Sequence, residues 1–357
     1  MNTKQTKKYA LPFVAILAVL LAFSVPVMAD LPTEDGYLAD HHKMNIYKQG
    51  AGDLMYTYGT PFYQCIWNYN EVTGTNETAT YNINLDSVPE NAVEARLYVY
   101  WTWSKFDEYD PYSSKDYGIY PELEVEFNGE SASFDYAPGT NWIDDYTDVK
   151  NSTYLGLHYG DPNYIKYNFP SGTNCAMIPI DDVESSNVVE VTNVYPYNGN
   201  DPETSGDDMA KVCIQGVGLL LILEDDDKMY WIAEGNDMTY TKWKNDAWVY
   251  GITPDMTITK VKFPGAILSG MDTATLTSVI PAGDLGCNRL YFNPLSRCYW
   301  EGLWNRVPDK NLAVSVTEIS ADCLRRHNNM ARFQNGLWDP NCGDKQMNVA
   351  NAFLVVE

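Results

Sequence analysis

After its first 29 residues the sequence has no long apolar run, and it has no basic cluster, no CxxC pair and none of the short signatures of common extracellular enzymes. Each absence excludes something. Without a second apolar stretch of about 18 residues, no membrane-spanning helix is predicted in the mature chain; GVGLLLILE, residues 216–224, has strand length and ends in an acidic run. Without a basic cluster interleaved with aromatics there is no nucleic-acid footprint. His41, His42, His158 and His327 do not stand beside cysteines in a zinc-ligand spacing. HExxH, GxSxG, a glycine-rich phosphate loop and EF-hand spacing are missing, and the many carboxylates single out no glycosidase pair. The chain therefore reads as a non-enzyme, with no cofactor beyond possible structural calcium.

What is present begins with a secretory signal. Residues 1–29 contain no acid, carry Lys4, Lys7 and Lys8, run apolar from Ala10 to Val25 and end Val27-Met28-Ala29, so the mature chain is expected to start at Asp30. Without the signal's three lysines, 48 acids face 21 bases, a formal charge of −27 that repels nucleic acid and anionic lipid. A hydrophobic fraction of 45% nevertheless argues against general disorder. Carboxylate clusters at Asp144, Asp145 and Asp148, at Asp181 and Asp182, at Asp207 and Asp208, and from Glu224 through Asp227 read either as calcium ligands or as solvated turns. Packed copies of so acidic a chain need cations between them or a strongly uneven distribution of charge.

Seven cysteines in a disulfide-permissive compartment imply internal bonds. Spacing favours Cys287 with Cys298 and Cys323 with Cys342, leaving Cys65, Cys175 and Cys213 as a trio with at most one internal bond. The odd cysteine, with Cys65 the first choice because it lies near the leading arm, is a candidate for a link between chains. Two sequons, at Asn76 and Asn151, are candidate glycosylation sites.

Short aromatic and β-branched runs, broken by Asn, Gly, Pro and Asp, fill the chain from residue 78 to 357. They predict an all-β fold of two related β-sandwich, jelly-roll-like domains, residues 75–240 and 241–357, behind an N-terminal arm over 30–74. Two pieces rhyme: Phe127-Asn128, then NVVEVTNV, then GLLLILE; and Phe292-Asn293, then NLAVSVTEI, then AFLVVE. In the final run, 347–357, both faces turn apolar, which predicts a central or covered strand. In ARLYVYWTWSK, residues 95–105, alternation puts Ala95, Leu97, Val99, Trp101 and Trp103 on a core face. The opposite face, with Tyr98 and Tyr100, joins apolar area to hydroxyls that need partners and reads as a candidate interface.

YWIAEGND (230–237), with GVGLLLILEDDD before it and ARLYVYWTWS upstream, resembles an uncharacterised domain family of extracellular proteins in methanogenic archaea. TATLTSVIPAGD (273–284), NRLYFN (288–293) and NAFLVVE resemble that family's second half, so the likeness covers about residues 75–357. The family has no assigned reaction; the resemblance implies an extracellular location and this fold. A chain that is almost only this domain, without an anchor, points to a subunit of a proteinaceous sheath or surface layer, a homopolymer joined through β-sheet edges. The alternative is a secreted carbohydrate-binding or adhesion module, with Trp101, Trp103, Trp231, Trp243 and Trp248 stacking on sugars.

Overall fold

The computed structural model describes residues 44–70, 72–106, 117–118, 121–132, 146–149, 170–195, 210–241, 243–244, 247–248, 252–283, 286–293, 297–304, 312–339, 342 and 345–357. The signal segment and Asp30 lie outside these. The first strands are β1 (Met44–Ala51), β2 (Asp53–Tyr58), β3 (Gln64–Trp67), β4 (Thr78–Asn84), the long β5 (Ala92–Phe106) and β6 (Tyr117–Gly118). There follow β7 (Leu123–Phe127), β8 (Glu130–Ser131), β9 (Tyr146–Val149), β10 (Pro170–Ile178), β11 (Ser186–Asn193) and β12 (Ala210–Leu223). A second set comprises β13 (Met229–Thr241), β14 (Trp243–Lys244), β15 (Ala247–Trp248), β16 (Ile258–Ala266), β17 (Ala274–Ile280) and β18 (Asn288–Phe292). It ends with β19 (Tyr299–Glu301), β20 (Ala313–Ile319), β21 (His327–Asn335) and β22 (Lys345–Val356).

The strands build four main sheets. An outer sheet, β4-β11-β7-β8, packs on an inner sheet, β2-β12-β5-β10-β9, and a second inner sheet, β1-β13-β22-β17-β20, packs on a second outer sheet, β16-β21-β18-β19. Both pairs have jelly-roll order, and β2, β4, β5, β7, β8, β10, β11 and β12 correspond one to one with β13 and β16 through β22. Binary patterning explains the outer sheets: β4 alternates exposed and buried residues along its whole length, with Ala79, Tyr81 and Ile83 inward. The inner sheets are buried on both faces, because they also pack on each other around Tyr98, Tyr100, Leu220, Ile222, Ile232 and Phe353. Hence β12 and β13 are buried almost throughout, with no clean alternation. β22, predicted central, lies between β13 and β17.

The duplication extends to a side-chain device. After β7, Asn128 takes positive φ (53°); its Nδ2 donates to Asp182 O (2.9 Å) and Asn187 Oδ1 (3.0 Å), and its Oδ1 accepts from Val188 N (2.8 Å). After β18, Asn293 (φ 55°) donates to Cys323 O (2.7 Å) and Asn329 Oδ1 (2.9 Å) and accepts from Met330 N (3.1 Å). Asparagine suits both roles, since it tolerates the left-handed region and its amide replaces backbone partners at the turn. The rhyme therefore holds at its first and last members. Its middle member is corrected: β11 corresponds to β21, whereas β20 corresponds to β10.

Domain limits are corrected too. The switch falls in the turn between Leu223 and Met229, because β13 pairs with β1 and β22 in the second jelly roll. The leading arm is not separate. Gly52, at φ 138°, passes the chain from β1, on the second jelly roll, to β2, on the first, and a Cβ there would lie 2.6 Å from Leu223 O.

The disulfides are Cys65–Cys213, Cys287–Cys342 and Cys298–Cys323, which overturns the pairing expected from spacing. Cys287 and Cys298 sit at opposite ends of the β18–β19 hairpin, and Cys323 and Cys342 at opposite ends of β21, so each bonds to the cysteine at its own end of the sheet. Cys65 faces Cys213 directly across β3 and β12 and is not available for a link between chains. Cys175 is the cysteine outside the three disulfides and is fully buried between the inner sheets. Alkylation of the unreduced protein is expected to add no group to the folded chain and one to the unfolded chain, read by intact mass. Alkylation of native protein would contradict this burial.

Candidate functional site

Tyr98 and Tyr100, proposed as an exposed interface, instead face another sheet of the same chain, and both are fully buried. Their rings stack with centroids 6.1 Å apart, and Phe353 of β22 lies 5.9 Å from Tyr98. The Tyr98 hydroxyl donates to Glu234 Oε1 (2.8 Å) and the Tyr100 hydroxyl to Asn351 Oδ1 (2.7 Å), so both sheets satisfy the polar tips. Burial, joined for Tyr98 by the neighbouring Glu234 charge, pushes both phenols well above their ordinary pKa.

Beside them Arg96 of β5 forms a two-pronged ion pair with Glu234 of β13, Nε to Oε1 at 2.5 Å and Nη2 to Oε2 at 2.8 Å, with both side chains buried. Burial alone favours the neutral guanidine, but the hydrogen bond and charge of Glu234 outweigh it and the pKa rises. Two strand irregularities aim these groups. The β1–β13 register shifts between Ile46 and Lys48, and Tyr47 puts its ring 3.7 Å from the Arg96 guanidinium; the β13–β22 register shifts just after Glu234. Alternation marked the face of Tyr98 and Tyr100, on which Arg96 also lies, but only the fold reveals Glu234 as the partner of Arg96 and Tyr98.

At the edge of this seam opens a cleft of about 230 Å³ lined by Asp53, Tyr56, Lys228, Thr275, Phe353 and Glu357 among others. Lys228 spans Asp53 (2.7 Å) and Glu357 (3.2 Å), and chiefly the bond to Asp53 raises its pKa. The lining joins this ion pair to the hydroxyls of Tyr56, Thr275 and Thr277 and to the apolar Leu54, Leu220, Phe353 and Val355.

The remaining candidates are dispersed. Asn76 is exposed in a loop; Asn151, Asp144, Asp145, Asp207 and Asp208 lie outside the described residues, as does the side chain of Asp148. Asp181 and Asp182 are exposed on a single 3-10 turn, and Asp225 Oδ1 accepts from Asp227 N (2.9 Å) within its own turn. Among the described residues no three His, Cys, Asp or Glu converge to hold a metal ion. Trp101 and Trp231 are buried in the two jelly-roll cores and present no face to a sugar; the side chains of Trp103, Trp243 and Trp248 lie outside the described residues.

The sheet edges differ in how they are guarded. β16 carries Lys260, Lys262, Pro264 and a register shift, β1 carries Lys48 and a register shift, and β4 is bridged by Thr60 at Asn82. β20 is the least guarded of these four: it carries one charge, Glu318, but no Lys, Arg or Pro, and pairs with β17 in unbroken register from Ala313↔Ile280 to Ile319↔Ala274. Val316 on it is 66% exposed.

Three disulfides place the chain in an oxidising compartment, as expected of an extracellular protein, and among the described residues no helix is long and apolar enough to cross a membrane. The ANX1 ectodomain from Arabidopsis thaliana is similar over 86% of this chain and 89% of its own, at 8% identity and a TM-score of 0.24. A cycloalternan-forming enzyme from Listeria monocytogenes matches over 79% of this chain and 19% of its own, at 10% identity and a TM-score of 0.23. A chain of the Sputnik virophage matches over 86% and 85%, at 8% and 0.22. Scores this low carry no argument about function. No curated protein matches. Residues 36–357 match the model of the family described as "Protein of unknown function (DUF3344)", and the chain belongs to that family.

Proposed function

We propose that the protein is a secreted structural subunit that assembles with copies of itself into an extracellular sheath or surface layer, the β20 edge serving as a contact. The observation that carries this reading is that lightly guarded edge. Among the described residues no strand pairs with its outer side, so its main-chain groups can pair with a strand of another copy, and Val316 adds an apolar side chain. A buried seam with two-pronged charge pairing and three disulfides suits a rigid building unit. The resemblance to extracellular proteins of methanogens supports the same reading.

Val316→Lys tests it. Since Val316 is exposed, the substitution should leave folding intact while placing a charge where an incoming strand would lie. Electron microscopy of the mature protein should show ordered assemblies for the wild type and a several-fold loss for the variant. Equal assembly by a folded variant would remove the β20 edge from the proposal.

A further inference from the structure

The four layers end in two outward faces of opposite charge. On the first jelly roll's outer sheet, Glu124 and Glu126 of β7 are exposed, and Glu190 of β11 lies directly opposite Glu126. Like charges at facing positions disfavour the strand pair unless a positive group approaches from outside. On the second jelly roll's outer sheet the corresponding positions are basic or aromatic. Aligned through the strand registers, Glu124 matches Arg289, Glu126 matches Tyr291, Glu190 matches Arg332, Thr80 matches Lys260 and Asn82 matches Lys262.

The basic face is organised. The guanidinium groups of Arg289 and Arg332 lie 5.6 and 5.1 Å from the centre of the Tyr291 ring, and Arg289 also lies 5.2 Å from that of Tyr299. Arg289 is paired with Glu301, an acid of the same sheet, while Lys262 is exposed. The asymmetry runs through the chain: residues 44–228 hold 31 acids against 8 bases, whereas residues 229–357 hold 13 against 12. Uneven charge of this kind is what lets an acidic chain pack with itself.

We propose that copies stack head to tail, the acidic outer sheet of one against the basic outer sheet of the next. Like faces repel, so the contact has one polarity; it is heterologous, and because its two surfaces lie on opposite outer layers each addition leaves a further face open. The partner is a second copy because each molecule carries both complementary surfaces. This rests on the self-assembly reading only in taking another copy as partner, and it uses sheet faces rather than the β20 edge.

The test uses the mature protein carrying Val316→Lys, so that the edge is blocked, and sedimentation velocity at about 20 mM and about 0.5 M NaCl, where screening lengths fall from roughly 20 Å to under 10 Å. The parent should associate at low salt and dissociate at high salt. Glu124→Lys/Glu126→Lys makes both faces positive and Lys260→Glu/Lys262→Glu leaves both negative, so each alone should lose at least tenfold in association. Mixing the two should restore it, which neither misfolding nor general charge effects would do. A parent that stays monomeric at low salt, a reversed variant that associates like the parent, or a mixture of folded variants that stays monomeric overturns the stacking. Comparing the protein with and without Val316→Lys reports on the edge separately, so either contact can fail alone.

Discussion

Glu234→Ala is expected to destabilise the protein by about 3–5 kcal/mol, because it leaves the Arg96 guanidinium buried between two sheets without its counter-charge. Tyr98 loses its acceptor as well. The pair itself need not be strongly stabilising, since desolvating both ions offsets much of their attraction. Arg96→Met combined with Glu234→Leu, which fills the same space with apolar atoms, should therefore recover most of what the single change removes. Urea unfolding of the three chains reads both effects. A Glu234→Ala protein within about 1 kcal/mol of the parent would mean that water reaches Arg96, and the seam would not be the dry contact described.

Trp101→Ala should be as damaging, about 3–5 kcal/mol, for a different reason. The indole fills the first jelly-roll core, its Nε1 donates to Asn174 Oδ1 (2.7 Å), and it lies so close over Gly172 that a Cβ there would be 2.4 Å from the ring. Removing it opens a cavity between the two sheets of the first jelly roll, of which the inner one is cross-linked by Cys65–Cys213 and cannot readily collapse around it. Denaturant midpoints measure the loss; a neutral result, together with tryptophan fluorescence quenched by added oligosaccharide, would instead revive the carbohydrate-binding alternative.

Much of this was legible where one physical rule acted alone. Alternation sorted β5 into Leu97, Val99 and Trp101 on one face and Tyr98 and Tyr100 on the other, as found. What alternation cannot say is what covers the second face, because a tyrosine that meets water and one that meets a glutamate across a seam look alike in sequence. Cysteine spacing failed since a strand carries neighbours in sequence to opposite ends of a sheet. The rhyme failed at its middle member because SNVVEVTN and AVSVTEI share a composition, while the true counterpart of β11, HNNMARFQN, has exchanged Glu190 for Arg332 on its outer face. The contrast between acidic and near-neutral halves stood in the sequence, but acquires meaning only when the registers place Glu124 and Arg289 at equivalent sites.

The position of β22 bears on how the chain can be made. All the main strands of the first jelly roll precede Leu223, so it can close while the rest is still emerging. The second cannot: β22 sits between β13 and β17, and its partner β13 begins at Met229. Until Lys345–Val356 arrive, β13 and β17 share no neighbour and the apolar back of the first jelly roll, with Leu220 and Ile222, lacks the cover of Ala350 and Phe353. Pairings this distant in sequence form slowly. A chain still lacking its last strand thus carries an uncovered apolar surface, and the negative charge over residues 44–228 disfavours contact between two such chains.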